Sequence, residues 1–532
     1  MFKKNLFNNI INTIYIYIYI YISKYKKYYL IYAFAVLLSA FSLITAETIA
    51  HPKMELIFLL LILFMGFFCL TFYFSHNDDD NLYKSLFVIL IIFGMVCAFI
   101  TPICQVGDTQ EHFARAEITS RGIIFPEYNG QNFTNYYINN NSEYVWDGTG
   151  FEVIQSEKFF EDNRYKTVFD TNHDTDKINY TLVNTSQAFQ QNPFFGYLPQ
   201  ALGISIAKLL DLNQIWMFWL GNICNLLFYC GVVTYAVKKS PIMKVPLIVT
   251  ACIPLCLFQG SSVSIDAIIY ALSILIIVYF FNMYKSKEKS ITYKHVGIFL
   301  ALCLIVGLCK LTLLAFSLLL FAVPFENFKD RKVILLSVIG IIILGFIGLL
   351  YGHNAQETLW HSKRAEQFLG KNVNATQQIQ HLLTGHNLTT QSAFFFYDIG
   401  HVFNALYPGW PQMKFNTMNF LIIPAHFIIG FVYLGYPIKE RFNNKSKLIA
   451  FAVLFIIFYG TYLVQYLTWT PVGYLELDSA VNTRYFLPIF ALCPFVFNLN
   501  MNKEDDRIKN YTILFSLILL SGLLLCIIFQ FY

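Results

Sequence analysis

The segment Gly107–Ala116, which reads Gly-Asp-Thr-Gln-Glu-His-Phe-Ala-Arg-Ala, holds the densest group of potentially reactive side chains in this sequence. Asp108, Glu111 and His112 can each exchange a proton, and Arg115 can bind an anion. The segment directly follows a long apolar run. Because an acid at the mouth of a membrane helix is costly unless it meets water, a partner or a substrate, this placement predicts chemistry at a membrane surface.

Three further charged positions lie at the ends of apolar runs. Asp266 begins one run, Lys310 interrupts another, and Arg484 begins a third. Each residue alone has an ordinary interpretation, as the end of a helix whose charge reaches the membrane interface. As a set, they suit a different chemistry. A carboxylate can take a proton from an attacking hydroxyl, while Arg and Lys hold phosphate oxygens.

The composition indicates an all-α polytopic membrane protein. The chain of 532 residues is 56% hydrophobic and only 13% charged, whereas soluble proteins carry about a quarter charged residues. Its apolar runs have roughly the 20 residues that a helix needs to cross a bilayer, and a β-barrel would show short alternating segments instead. The net charge of +5 is scattered over the loops and indicates no nucleic-acid partner. The cysteines lie mostly within apolar runs and fit neither a zinc site nor a disulfide framework.

The apolar runs predict about 11–13 transmembrane helices. The run 295–324 is too long for one span, so we expect two short helices that meet at Lys310. The predicted organisation is a cytoplasmic segment, two additional helices, a membrane core and a C-terminal helix, at residues 1–27, 28–74, 85–500 and 511–531. The runs fall at about 28–47, 55–74, 85–103, 215–237, 242–259, 262–283, 295–309, 311–324, 333–351, 416–436, 448–467, 483–499 and 511–531.

Loop charge predicts the orientation. Lys and Arg favour the cytoplasmic side, and this topology places all the basic loops on one side. We therefore expect a cytoplasmic (inner) cell membrane protein with a cytoplasmic N-terminus and extracytoplasmic loops at 104–195 and 352–415, the first a folded subdomain. Residues 111–120 are expected to form an amphipathic helix on the membrane surface, with Arg115 on its polar face. The segment 196–212 is expected to lie in the interface. In this topology, the outer face contains four charged residues from distant parts of the chain: Asp108, Asp266, Lys310 and Arg484.

The same residues resemble a known family. The first motif of the DUF2142 family of bacterial multi-spanning membrane proteins reads approximately Asp-Glu-x-x-His-x-x-Arg-Ala and ends in Ser-x-Gly. The resemblance covers roughly residues 85–500, and Thr109 stands where the motif has its second acid. Further segments resemble the family's Ser-x-Asp, mid-chain Lys and late Arg-Tyr-hydrophobic-x-Pro motifs. The matching residues are Asp108, His112, Arg115, Ala116, Ser120, Gly122, Ser264, Asp266, Lys310, Arg484, Tyr485 and Pro488.

The resemblance implies a fold and an activity. DUF2142 has the look of the GT-C glycosyltransferases, which use polyprenyl-phosphate sugar donors outside the cytoplasmic membrane. The implied activity is transfer of a sugar from such a donor to a cell-envelope glycan acceptor, as in polysaccharide biosynthesis. The cofactor is unknown, and the loss of the second acid argues against a divalent metal. The alternative is a transporter or flippase of lipid-linked saccharides, which would carry charges along a path near the bilayer midplane and between internal repeats.

The candidate catalytic residues are Asp108, Glu111 and His112. Asp108 is either the general base or a structural helix cap. Glu111 is one helical turn later and can substitute for the missing second acid. His112 either orients Asp108 or caps the helix. The candidate substrate-binding residues are Arg115, which alternatively pairs with Glu111, and Asp266, Lys310, Arg484 and Tyr485.

Overall fold

The structure is a computed structural model that describes residues 22–46, 52–102, 106–125, 128–129, 132–133, 178, 192–213, 215–360, 372–402, 419–438, 442–477, 482–499 and 506–531. Its α-helices, in chain order, are α1 Lys26–Ala46, α2 Pro52–Ser75, α3 Leu82–Ile100, α4 Thr109–Ser120, α5 Leu198–Leu209, α6 Ile215–Lys239, α7 Lys244–Ala251, α8 Pro254–Gly260, α9 Asp266–Tyr284, α10 Tyr293–Cys309, α11 Arg331–Trp360, α12 Ala375–Leu382, α13 Asn387–Val402, α14 Asn419–Gly435, α15 Asn444–Trp469, α16 Leu487–Phe490, α17 Cys493–Phe497 and α18 Asp506–Phe531. Shorter 3₁₀ helices are Phe194–Tyr197, Leu311–Ala322, Phe325–Asn327 and Thr483–Phe486.

The predicted all-α membrane fold is confirmed. In the described parts of the chain, eight helices are long and apolar enough to cross a membrane: α1, α2, α3, α6, α9, α11, α15 and α18. Three more apolar helices are shorter, at Tyr293–Cys309, Leu311–Ala322 and Pro424–Gly435. The β-strands in these parts are one antiparallel pair of two residues each, β1 Tyr128–Asn129 with β2 Asn132–Phe133.

The C-terminal helix α18 is apolar on every side, as a helix inside a bundle must be. Its apolar length is buried throughout, and it packs against α1, α2, α3 and α7. Two polar contacts fix its position. Tyr32 Oη lies 2.7 Å from Ser521 Oγ, and Tyr73 Oη donates to Asn510 Oδ1 at 2.7 Å. The helices at the two ends of the chain therefore form one packed group.

Loops rich in Lys and Arg gather at one end of the helices. Lys509 Nζ lies 3.5 Å from Asp79 Oδ1, and Lys244 Nζ donates to the Asp79 carbonyl at 2.9 Å. The backbone N–H of Asn443 donates to Tyr284 Oη at 3.0 Å. The first two contacts join the loop before α3 to the first turns of α7 and α18, and the third joins the residue before α15 to the end of α9. That this side is cytoplasmic remains a prediction.

The long apolar run is broken at Lys310, as predicted. Helix α10 ends at Cys309, Lys310 is extended (φ −154°, ψ 104°), and Leu311–Ala322 continues as a 3₁₀ helix. Such long 3₁₀ runs are uncommon because their hydrogen-bond geometry is poorer than that of an α-helix. Because the helix is broken at this residue, the Lys310 side chain lies in a different environment from that of the apolar side chains before and after it.

The single spans predicted at 242–259 and 483–499 are corrected by the structure, because each is a broken helix. The first run divides into α7 and α8, and Pro254 lies at the start of α8. The second divides into the 3₁₀ helix Thr483–Phe486, α16 and α17, with Pro488 and Pro494 near the two α-helix starts. Proline lacks the N–H that an α-helix needs and its ring clashes with the preceding turn, so these positions favour new helix starts.

The predicted helix over residues 111–120 exists as α4, but its polar face is not solvated. Arg115 is 1% exposed and Glu117 is 4% exposed. Glu117 Oε1 lies 2.6 Å from both Lys208 Nζ and Arg121 Nε. The charges are buried because α5 covers the helix and supplies Lys208 as a partner. Helix α5 itself would extend only about 18 Å at 1.5 Å per residue, less than a bilayer core, in agreement with the expectation that segment 196–212 does not span.

Candidate functional site

Four charged residues from distant parts of the sequence meet in one cluster, with Arg484 at its centre. The Arg484 guanidinium donates to Asp108 Oδ2 and, at 3.0 Å, to the Gly107 carbonyl. Its Nε lies 3.3 Å from Asp266 Oδ2, an ion pair without hydrogen-bond geometry. The Asp108 side chain is 33% exposed, whereas those of Asp266 and Arg484 are 8% and 4% exposed. Asp108 is therefore the acid of this cluster that solvent or a ligand can reach.

The second cation of the cluster is Lys310, which packs on Tyr485. Lys310 Nζ lies 3.5 Å from the centroid of the Tyr485 ring and donates to the Tyr485 carbonyl at 3.3 Å. The Arg484 guanidinium lies 5.4 Å from the same ring centroid. Cations are attracted to the electron-rich face of an aromatic ring. Tyr485 thus holds two cations near each other without neutralising either.

Helix ends position the two groups that come from α9 and α10. Asp266 is the first residue of α9, and its backbone N–H donates to Ser264 Oγ at 3.2 Å. Lys310 follows the last residue of α10. A helix carries partial positive charge at its N-terminus and partial negative charge at its C-terminus, so each side chain sits at the end that favours its charge.

The loop that leads into Asp266 is held by two fully buried amides. Asn225 Nδ2 on α6 donates to the Ser262 carbonyl at 2.6 Å and to the Ser264 carbonyl at 2.9 Å. Gln200 Nε2 on α5 donates to the Ser264 carbonyl at 3.1 Å. Buried carbonyls that lack α-helical partners require such donors. The two amides therefore fix the backbone from which Asp266 starts.

A close crossing of α5 and α6 brings those amides to the loop. A Cβ atom at Gly203 would lie 2.1 Å from the Leu220 backbone oxygen, so only glycine fits at this crossing. On the facing helix, a Cβ at Gly221 would lie 3.1 Å from the Val263 side chain. Small residues allow helix backbones to approach closely in membrane proteins.

The conformation of Asp108 distinguishes between the two roles predicted for it. Asp108 precedes α4 in the left-handed region (φ 60°, ψ 26°), and its side chain makes no capping hydrogen bond. The carboxylate contacts Arg484 instead. A non-glycine residue in this region is uncommon, although aspartate tolerates it better than most. The helix-cap alternative for Asp108 is therefore wrong, and the carboxylate belongs to the charged cluster.

His112 lies within the packing of α4 rather than on its exposed side. Its Nδ1 lies 2.9 Å from Tyr197 Oη, which also accepts a hydrogen bond from Asn192 Nδ2 at 3.0 Å. The Tyr197 hydroxyl therefore lies between the imidazole and the Asn192 amide and fixes the position of the ring. Burial, reinforced by the positive charge of Arg484, lowers the pKa of His112 to about 3.

Arg115 forms structural contacts in place of the predicted pair with Glu111. Its Nε donates to the Asn192 carbonyl at 3.0 Å, Nη1 to Thr119 Oγ1 at 2.9 Å, and Nη2 to the Ile124 carbonyl at 3.0 Å. All three guanidinium nitrogens are therefore committed within the protein. This geometry connects α4 to the segments that contain Ile124 and Asn192 and leaves substrate binding by Arg115 without support.

Glu111 and Thr109 complete the first motif. Glu111 is partly exposed one turn after Asp108 and stays a candidate. The Thr109 hydroxyl donates to the Val106 carbonyl and closes the turn that precedes α4. Among the described residues, no group of three or more His, Cys, Asp or Glu side chains could hold a metal ion.

Several residues that support the cluster were not predicted from the sequence. Tyr270 Oη donates to the Arg484 carbonyl at 3.0 Å. Tyr270 follows Asp266 by one helical turn, so helical spacing could have identified it. Gln200 and Asn225 were recognisable as isolated amides in apolar helices, although only the fold identifies their partners. Tyr197 and Asn192 gave no usable signal in the sequence.

A known family model covers most of the chain. The family model for DUF2142, described as a predicted membrane protein, matches residues 90–493. The match includes all four charged residues of the cluster and about three quarters of the chain. No curated protein and no solved structure matches this sequence. The chain belongs to the DUF2142 family of predicted membrane proteins.

Proposed function

We propose that the protein is a GT-C-like membrane glycosyltransferase that transfers a sugar from a polyprenyl-phosphate-linked donor to a cell-envelope glycan. The observation that carries the proposal is the meeting of Asp108, Asp266, Lys310 and Arg484 at one place. Helix α9 begins at this cluster and ends among the basic loops, about 28 Å away at 1.5 Å per residue. With the basic loops in the cytoplasm, the cluster faces the outer leaflet of the cytoplasmic membrane.

The chemistry follows from the charges. Arg484 and Lys310 bind the phosphate oxygens of the donor, and Tyr485 keeps both cations in place. The acceptor hydroxyl oxygen forms a bond to the anomeric carbon as the bond from that carbon to the phosphate oxygen breaks. The phosphate leaves with the bonding electron pair, where the cations stabilise its charge. Asp108 takes the hydroxyl proton.

Without a donor, Arg484 already binds two acids. A carboxylate held by a guanidinium is a poor base, because the cation stabilises its charged form. A donor phosphate competes with Asp108 for Arg484 and releases that carboxylate toward the acceptor. Asp266 is buried and keeps the guanidinium in position during the exchange. Donor binding thereby activates the base.

The proposal is tested by extracting polyprenyl-linked sugars from cells and identifying them by mass spectrometry. The strains carry the wild-type protein, a deletion, Asp108→Asn, or the control Asp80→Asn, whose carboxylate is exposed at the opposite end. We expect the deletion and Asp108→Asn to accumulate the same sugar-lipid and to lose one envelope sugar, with the Asp108→Asn and Asp80→Asn proteins still inserted in the membrane. Retained transfer in Asp108→Asn contradicts the role of Asp108.

A transporter or flippase of lipid-linked saccharides is the second candidate. The observation that favours it is the pair of broken helices, α7 with α8 and α16 with α17, since discontinuous helices often form transport sites. Purified protein in vesicles that lack an acceptor discriminates between the two functions. Movement of a labelled lipid-linked sugar between leaflets, with the Asp108→Asn variant as active as wild type, favours transport.

A further inference from the structure

An apolar cavity of about 770 Å³ lies between α13, α14, α15 and the broken helix α16–α17. Its walls consist almost entirely of aromatic and aliphatic side chains, including Phe395, Phe458 and Phe490. Ligand cavities of this size usually carry several polar groups that orient the ligand. A cavity with so little polarity suits a hydrocarbon chain.

The cavity opens sideways toward the lipid-facing surface of the bundle. Among its lining residues, Phe396 is 55% exposed, Leu434 is 46% exposed and Phe451 is 44% exposed. Each of these comes from a different helix. A lipid chain can therefore enter from the bilayer without passing through water.

The cavity lies next to the segment that carries Arg484. Arg484 lies in the 3₁₀ helix Thr483–Phe486, and this helix leads directly into α16, whose Ile489 and Phe490 line the cavity. The ring of Phe486 lies 4.5 Å from that of Phe458, another lining residue. The cations thus lie one helical turn along the chain from an apolar cavity, an arrangement that suits a phosphate carried on a lipid chain.

We propose that this cavity binds the isoprenoid chain of a polyprenyl phosphate whose phosphate lies at Arg484 and Lys310. The proposal rests on the proposed function, because it places the chain of the same donor. Gly430 on α14 lines the cavity, and a Cβ there would meet open space. A Gly430→Phe side chain therefore fills the cavity without a backbone clash. Gly345 on α11 also has open space at its Cβ, and it is exposed, so Gly345→Phe is the matched control.

The experiment uses the full-length protein in nanodiscs and two ligands, a long-chain polyprenyl phosphate with a photoreactive group on its chain, and geranyl phosphate, whose chain is too short to fill the cavity. We expect crosslinks in α14 and α15. We also expect Gly430→Phe to weaken binding of the long ligand by about tenfold or more, with geranyl phosphate binding unchanged in that variant and both ligands unchanged in Gly345→Phe. Retained geranyl phosphate binding demonstrates that the variant is folded.

Other outcomes overturn the proposal in distinguishable ways. Unchanged long-ligand binding in Gly430→Phe, with binding lost in Arg484→Gln, removes the cavity and leaves the proposed function standing. Equal competition by phosphatidylglycerol identifies a general lipid site, and the proposal fails. Absence of binding by either ligand to the wild-type protein contradicts the proposed function as well.

Discussion

Arg484 donates a hydrogen bond to Asp108 across 376 residues of sequence. Asp108 follows α3, and Arg484 precedes α16, so the pair forms only when the membrane core has assembled. The same guanidinium contacts Asp266 on α9. One side chain therefore links three separate parts of the helical bundle, and its removal has both chemical and structural consequences.

Replacing Arg484 with lysine should abolish sugar transfer while preserving a positive charge. A single ammonium group cannot reproduce three directed nitrogens toward Gly107, Asp108 and Asp266. We expect at least about a hundredfold loss, the size reported for removal of one transition-state donor in other enzymes. Transfer measured with purified protein and membrane abundance measured by immunoblot give the result. Activity within a few fold of wild type would show that charge alone is sufficient.

Asp266 and Arg484 should be energetically coupled. A double-mutant cycle with Asp266→Asn and Arg484→Gln, measured by reversible unfolding in detergent, is expected to give a coupling of about 1–3 kcal/mol. The reason is that each single change leaves a buried charge without its partner. Additive single changes would mean that the 3.3 Å contact contributes little to stability.

Asn225 should matter more for stability than its neighbour Asn222. Asn225→Leu removes the amide that donates to the Ser262 carbonyl and leaves the Ser264 carbonyl with Gln200 Nε2, a loss that is expected to cost about 1–3 kcal/mol. Asn222→Leu is the matched control, because its amide makes one longer bond of 3.3 Å to Ala98. Thermal unfolding in detergent compares the two variants. Equal melting temperatures of the two variants would contradict the role assigned to Asn225 in holding the loop before Asp266.

His112 predicts an acid-sensitive stability. Its folded pKa of about 3 lies below the ordinary value of 6.5, so the unfolded chain binds the proton more readily. The contribution is fully present above pH 6.5 and is lost as the pH falls toward 3, by up to about 1.4 kcal/mol per pH unit. His112→Gln should flatten this dependence between about pH 6.5 and 3. Parallel curves for wild type and variant would contradict a contribution of His112 to the pH dependence of stability.

Removal of the C-terminal helix should prevent the other helices from packing. A stop codon after residue 505 deletes α18, which is buried along its apolar length. The faces of α1, α2 and α3 that pack against α18 then lose their common partner and become exposed. We expect little protein in the membrane and rapid protease digestion. Normal abundance and normal transfer by the truncated protein would show that α18 is dispensable for assembly.

The sequence predicted the helical membrane fold, the break at Lys310 and the four charged residues of the cluster, because long apolar runs and charges at their ends are local features. It did not predict that the runs containing Pro254 and Pro488 are broken, because the spans were predicted from the length of the apolar runs and not from the prolines within them. The structural role of Arg115 was also missed. Its partners are two backbone carbonyls and the Thr119 hydroxyl, and sequence spacing gives no information on backbone carbonyls of distant segments.

The contact between Tyr32 and Ser521 spans 489 residues. At a synthesis rate of about 5–20 residues per second, α1 therefore waits roughly 25–100 s in the bilayer before α18 exists. During that interval, the neighbours of α1 and α2 are lipids, insertion factors and the helices that have already been synthesised. Packing of α1 and α2 in this part of the protein is thus delayed until α18 has been synthesised.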